Sequence, residues 1–303
     1  MCLLYGSGMK IRTWIQFLST FIHNGYFGFL KTQNLYTGFF KNFCAFGLNC
    51  HSCPASLFAC PLGILQNLTS STRTLPIKTL IGPFFYIISF LFLSGILLGR
   101  FICGWLCPFG LFQELLYKIP FYKKSITLPL NFQKKFKYFI LLLFIFLFPL
   151  LFLNDLGYGI LWFCKFLCPA GTLEAGYLNL LLHPSLRNLI SFTFYFKSFI
   201  LFSIVVLCIM DLRFFCKNIC PLGLIYGIFN KFSLFQLSWE KEKCNSCNIC
   251  EKICPMNLSI PEELNSIECI RCLNCVKYCS KYAIKLKNIL YEDEINVISP
   301  NQT

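Results

Sequence analysis

Residues 244–255 read CNSCNICEKICP and residues 269–280 read CIRCLNCVKYCS. Both follow Cys-x2-Cys-x2-Cys-x3-Cys, a spacing that wraps a short chain around a cubane iron–sulfur cluster rather than around an apolar core. With 20 Cys in 303 residues, such a run arises by chance about 0.006 times per chain. Two of them are not accidental. Three closely spaced thiolates grip one cluster, and the fourth Cys of each run reaches across to its neighbour. That assigns Cys244, Cys247, Cys250 and Cys279 to one 4Fe-4S cluster, and Cys269, Cys272, Cys275 and Cys254 to a second. Pro255 follows the pattern; Ser280 stands where a second proline often sits. Zinc, the competing metal, prefers paired C-x2-C knuckles.

The rest of the chain is not that of a soluble globule. It is 56% hydrophobic and 13% charged, with mean hydropathy +0.62 and 36 Phe, against about 25% charge in an average protein. Apolar runs at Ile11–Leu30, Ile77–Leu98, Phe136–Leu153 and Leu189–Met210 predict about four transmembrane helices. The first is interrupted by Gln16, His23 and Asn24, and it lacks a small-residue cleavage site, so it reads as an anchor. Met9 is an alternative start, which would remove Cys2. Residues 156–182 are apolar but broken by Gly, Cys-Pro and Glu174, and read as a re-entrant or interfacial segment. Lys118, Lys123, Lys124, Lys134, Lys135 and Lys137 crowd one short loop, which belongs in the cytoplasm. Both termini then lie inside, and loops 31–76 and 154–188 outside. The expected organisation is an all-α integral membrane domain over 1–235, a small α+β ferredoxin-like domain over 236–290 with two 4Fe-4S clusters, and a polar tail over 291–303.

The formal charge of +14 does not imply nucleic acid. Much of it flanks apolar runs, and four clusters at about −2 each would bring it to roughly +6.

Within the membrane part, Cys-Pro-x-Gly recurs at Cys60, Cys107, Cys168 and Cys220. Three copies carry a second cysteine four residues earlier, in CGWLCPFG, CKFLCPAG and CKNICPLG; the first has Cys50 and Cys53 upstream instead. Proline favours the first helical position, so the preceding Cys becomes the N-cap. The following N–H groups and the helix dipole then favour a negatively charged ligand, and glycine lets the backbone approach it closely. Cys103, Cys107, Cys216 and Cys220 fall after the second and fourth spans and supply four thiolates on the inner face. Cys44, Cys50, Cys53, Cys60, Cys164 and Cys168 fall outside. Three uses of the outer set stand open. Cys60, Cys164, Cys168 and one of Cys50 or Cys53 could hold a cluster; Cys44, Cys50, Cys53 and Cys60 could hold it and leave 164/168 as a redox dithiol; or the set could form disulfides. An inner and an outer cluster about 30 Å apart would need re-entrant helices, a quinone or a partner haem between them.

Four spans, CGWLCPFG, CKNICPLG and a double ferredoxin run together resemble the membrane-bound polyferredoxins of the NapH/NosR-like 4Fe-4S-binding family. The resemblance covers roughly residues 77–285. It implies electron transfer between the quinone pool or a cytoplasmic donor and a partner oxidoreductase, in the bacterial cytoplasmic membrane, with the side chains acting as ligands rather than catalysts. It also implies that Cys103, Cys107, Cys216 and Cys220 form the membrane-face motif. A copper reductase or an oxidoreductase maturation factor is the alternative, and it would call for Met-rich or His-rich outer loops; the chain has 4 Met and 3 His. His23 is a candidate for interhelical hydrogen bonding, with a haem or quinone role as the alternative, and Asp155 and Glu174 are candidates for protonation near a quinone. His51 reads as a loop residue and Cys208 as a small buried hydrophobe.

Overall fold

The apolar run from Ile77 forms one helix, Ile77–Leu98, started by Pro76 and stopped where Gly99 takes φ +56° and closes onto the Gly95 carbonyl. Phe192–Met210 forms a second. In the computed structural model, which describes residues 8–123, 130–288 and 294–295, these two are long and apolar enough to cross a membrane. Cys2, Lys124 and the 291–303 tail apart from Glu294–Ile295 lie outside the described residues. A third apolar column runs without a break from Leu130–Ile140 through a wider π-helical stretch, Leu141–Leu147, into Phe148–Leu151. The widened turns precede Pro149, whose ring and missing N–H an ordinary α-turn would not accommodate.

The first apolar stretch departs from expectation. It forms the helix Gly8–His23 and then breaks, resuming only as the single turn Phe29–Thr32. The loop after it captures the helix end: Leu57 N–H donates to the His23 carbonyl, and Asn24 donates to Asn49 Oδ1. This helix is also inside out. Arg12, Gln16, Ser19 and His23, spaced four, three and four residues apart, are buried, while Ile11, Trp14, Leu18 and Phe21 are exposed. Gln16 donates to the Gly104 carbonyl and Ser19 to the Leu106 carbonyl.

Each membrane-length helix is followed by two short ones. Ile77–Leu98 leads into Phe101–Trp105 and Pro108–Tyr117; Phe192–Met210 leads into Phe214–Asn218 and Pro221–Ile228. Residues 163–182 are likewise helical pieces, Phe163–Leu167 then Gly171–Tyr177 and Leu178–Leu182, split at Cys168-Pro169. The C-terminal segment contains an antiparallel sheet of β1 (Phe235–Trp239), β2 (Ile284–Asn288) and β3 (Glu294–Ile295), with Leu237 opposite Leu286. Single-turn helices Ile249–Lys252 and Asn274–Lys277 carry the middle of each cysteine run. This segment packs on the short helices: the Ile270 carbonyl abuts Gly104, the Ile267 carbonyl abuts Gly227, and Trp105 Nε1 donates to the Arg271 carbonyl at 3.0 Å.

Candidate iron–sulfur centres

Cys60, Cys107 and Cys220 are N-caps with extended backbone, each followed by Pro at the start of a helix. Cys168 has the same extended backbone before Pro169. In all four, the N–H of the CP-x-G glycine points at the cysteine sulfur: Gly63 at Cys60, Gly110 at Cys107, Gly171 at Cys168 (3.3 Å) and Gly223 at Cys220. Helix dipole and N–H groups thus converge on sulfur, an arrangement suited to a thiolate.

The structure sorts these cysteines into two sets. Cys103, Cys107, Cys216 and Cys220 lie within electrostatic reach of one another. In the other set, Cys164 and Cys168 both reach Cys50 and Cys60. Cys53 lies beside Cys50 but not among the neighbours of Cys164. A Cβ on Gly171 would stand 3.6 Å from the Cys168 sulfur and 3.8 Å from that of Cys50, so those two sulfurs face one spot. Cys44 is buried near Cys60, and its N–H donates to the Tyr86 hydroxyl. None of the nineteen described cysteines is in a disulfide.

The residue six positions after each CP-x-G cysteine completes the pattern, and sequence reasoning missed it. Gln66, Gln113, Glu174 and Tyr226 occupy that place. Gln66 Oε1 accepts from the Cys164 N–H (3.2 Å), Gln113 Oε1 from the Cys216 N–H (3.3 Å) and Glu174 Oε2 from the Cys50 N–H (2.6 Å). Tyr226, fully buried, reaches Cys103. Three of the four helices therefore hold the leading cysteine of the facing motif by a hydrogen bond. By this rule Cys50, not Cys53, is the counterpart of Cys103, Cys164 and Cys216. Gln113 Nε2 also donates to the Cys216 sulfur at 3.0 Å.

The two sets are not isolated by a bilayer's thickness of protein. Leu48 N–H points at the Cys107 sulfur, and a Cβ on Gly47 would stand 2.6 Å from the Cys107 Cα. Only glycine permits that approach, which brings the 44–60 loop against the inner motif.

In the C-terminal segment, Cys254, Cys269, Cys272 and Cys275 line one cavity, closed by Leu237, Met256, Leu258, Ile260 and Leu264. The crossed member, Cys254, sits with the second run. Burial pushes its thiol up to about 12 and that of Cys269 up to about 11, so a metal must displace their protons on binding. Cys244 and Cys247 lie within electrostatic reach of Cys250, and Cys247 is exposed; the Cys279 sulfur accepts from the Ala283 N–H. Among the described residues, no three His, Cys, Asp or Glu side chains converge on a single-ion site. Thiolates around one zinc would stand about 3.8 Å apart, given Zn–S of about 2.3 Å. A four-iron cluster spreads its ligands over separate corners, and these sets fit it.

Of the remaining candidates, His23 is fully engaged: Nδ1 donates to the Ser19 carbonyl and Nε2 accepts from the Phe46 N–H. Asp155 is exposed in a turn. His51 lies in the loop beside Gly63. Cys208 is fully buried, 3.6 Å from Gln113 Oε1. The sequence carries one further missed signal, an arginine three residues before the leading cysteine in RFICGWLCPFG and RFFCKNICPLG. Arg100 and Arg213 are both fully buried and cross over: Arg213 Nη1 donates to the Cys103 carbonyl (2.7 Å) and Arg100 Nη2 to the Cys216 carbonyl (2.9 Å).

The family model of a 4Fe-4S binding domain matches residues 80–129 and 193–241, one match on each helix-and-motif unit. An uncharacterized protein of Methanocaldococcus jannaschii is 31% identical over 61% of this chain and 63% of its own length, so the chain spans less than two thirds of that relative. A second protein from the same organism is 33% identical over 62% of this chain and 72% of its own length. Regulatory protein NosR of Stutzerimonas stutzeri is 29% identical over 60% of this chain and 24% of its own length. No solved structure matches the chain.

Proposed function

The chain belongs to the NapH/NosR-like family of 4Fe-4S-binding electron-transport proteins, and from that premise we propose that it is a multi-pass membrane protein conducting single electrons along four cluster sites. A 4Fe-4S cluster supplies a one-electron couple when bound. The proposed order starts at Cys244, Cys247, Cys250 and Cys279, where exposed Cys247 offers a contact to a soluble redox partner. Cys254, Cys269, Cys272 and Cys275 come next, then Cys103, Cys107, Cys216 and Cys220. Cys50, Cys60, Cys164 and Cys168 end the path on the side that would exchange with the quinone pool. The ferredoxin segment and both termini face the cytoplasm in this reading.

One observation carries it: four CP-x-G helix starts, each aiming a glycine N–H at its cysteine and three of them holding the leading cysteine of the facing motif through their sixth residue. Four equivalent half-sites in two pairs make two centres. Contact supports the continuity of the path. Asn230 Nδ2 donates to the Cys269 carbonyl at 2.7 Å while Asn230 Oδ1 accepts from the Arg100 N–H at 2.8 Å. Gly47 and Leu48 join the Cys107 site to the loop that bears Cys50 and Cys60. Such contacts favour a path without a bridging haem.

Anaerobic purification followed by iron and labile-sulfide analysis tests the proposal. About sixteen irons per chain are expected, with an EPR signal from the reduced protein. About eight irons would confine clusters to the ferredoxin runs and sink the membrane-domain sites.

A further inference from the structure

Two buried groups of three charges lie where the ferredoxin segment meets the Cys103, Cys107, Cys216 and Cys220 site. In one, Glu114 bridges Arg12 (2.8 Å) and Arg213 (2.6 Å). In the other, Glu268 bridges Arg100 and Lys137, both at 2.5 Å. None of the six side chains is more than 8% exposed. The arrangement is two-fold. Each central arginine sits three residues before a leading cysteine, donates to the carbonyl of the other one, and covers the CP-x-G glycine of the opposite unit: Arg213 over Gly110 and Arg100 over Gly223. Both groups also face the neighbouring centre. Arg12, Arg213 and Glu114 lie within reach of Cys272, Arg100 lies within reach of Cys269, and Lys137 lies within reach of Cys220.

Each group is cation–carboxylate–cation and carries a net charge of +1. A carboxylate shared by two cations is more than a simple buried ion pair needs, and among the described residues no second carboxylate pairs with either group. An oxidised cubane with four thiolates carries about −2 and its reduced form about −3. Placing two surplus positive charges in a low-dielectric interior beside that site favours the more negative, reduced form. The other membrane-domain site lacks this device. Gly47 and Leu161 occupy the position three residues before Cys50 and Cys164. Single lysines approach these cysteines instead, Lys197 donating to the Cys164 carbonyl at 3.1 Å and Lys41 within reach of Cys50, and the buried carboxylate of Glu174 lies beside Cys50.

We propose that the Arg12–Glu114–Arg213 and Lys137–Glu268–Arg100 groups raise the reduction potential of the centre at Cys103, Cys107, Cys216 and Cys220, making it the point where an electron leaving the ferredoxin runs comes to rest. The inference rests on reading those four cysteines as a cluster site. It assigns the arginines a positioning and electrostatic role, not ligation.

Redox-poised EPR on the full-length protein, purified anaerobically in detergent, tests it. The signal of this centre is identified by its loss in Cys103→Ser, and iron content is measured for every variant. If Cys103→Ser removes no signal and no iron, the reading of the site fails, and the inference with it. With the site in place, Arg213→Gln should disfavour reduction about tenfold, a drop of about 59 mV for a one-electron couple. Glu114→Gln should move the midpoint the opposite way, and Arg213→Lys should restore it. Should Arg213→Gln lose its iron, Lys137→Met takes its place, because Lys137 donates to Glu268 rather than to a motif carbonyl and should also lower the midpoint. Unchanged midpoints at full iron content would overturn the proposal, as would shifts of the same sign in Glu114→Gln and the cation variants.

Discussion

Cys50 and Cys53 compete for one place, and two independent contacts separate them. The Cys50 N–H is held by Glu174, as the Cys164 and Cys216 N–H groups are held by Gln66 and Gln113. The Cys50 sulfur also shares a spot with that of Cys168 beside Gly171. Cys50→Ser should therefore lower iron content by about four per chain, whereas Cys53→Ser should leave it at the wild-type value; full iron in Cys50→Ser with loss in Cys53→Ser would remove Cys50 from the site. The competition shows what a sequence reveals at this scale. The ferredoxin cysteines can be grouped from spacing alone, because three of each four ligands lie within seven residues of chain. The partner of Glu174 lies 124 residues away, and no local pattern announces it. Arg100 and Arg213 were legible in principle, since RF-x-C precedes both inner motifs. Nothing near either arginine in the chain marks it as the partner of Glu268 or Glu114, which lie 168 and 99 residues away.

Short helices set by Cys-Pro do the positioning at the next scale, and their glycines decide how closely other backbone can approach. Gly104, in the helix Phe101–Trp105, meets the Ile270 carbonyl where a Cβ would stand at 2.4 Å; Gly227 meets the Ile267 carbonyl at 2.3 Å. Backbone cannot yield as a side-chain tip does, so Gly104→Val should weaken docking of the ferredoxin segment by about 1–3 kcal/mol. Hydrogen exchange across residues 264–272 should then rise roughly five- to 150-fold, with iron content unchanged; exchange at the wild-type rate would mean that this contact holds nothing. The CP-x-G helix starts were legible because proline and glycine act locally. The first helix was misjudged for the opposite reason. Gln16 and His23 read as interruptions of an apolar span, yet with Arg12 and Ser19 they form one continuous buried face against Gly104, Leu106 and Glu114. A helix whose polar face is covered by protein and whose apolar face looks outward reverses the soluble pattern, and hydropathy along the chain does not distinguish it from a flawed span.

For the molecule as a whole, the outward apolar faces and the helix lengths fix a direction. Ile77–Leu98 holds 22 residues, about 33 Å at 1.5 Å per residue, close to the roughly 30 Å of bilayer hydrocarbon. Its C-terminal end meets the ferredoxin segment through Arg100 and Glu268, and the column from Leu130 to Leu151 meets the same carboxylate through Lys137 near its start. The far ends of both columns therefore lie together, and a Cβ on Gly157 would stand 3.6 Å from the Thr74 methyl there. Pro61–Ser71 and Pro108–Tyr117, with 11 and 10 residues, are about half a bilayer long. Their N-termini carry the cysteines, so half-helices entering from opposite sides would bring both centres toward the middle of the membrane, as broken helices do in transporters. This architecture makes a topological prediction. Leu156, 79% exposed at the far end, and Lys241, exposed on the ferredoxin segment, should lie on opposite sides of the membrane. In intact spheroplasts, a membrane-impermeant maleimide should label Leu156→Cys and spare Lys241→Cys until the membrane is permeabilised. Labelling of Lys241→Cys in intact cells with Leu156→Cys protected would invert the orientation. Equal labelling of both would place the two ends on one side and refute the crossing, because a chain that crosses here cannot present both ends to the same solvent.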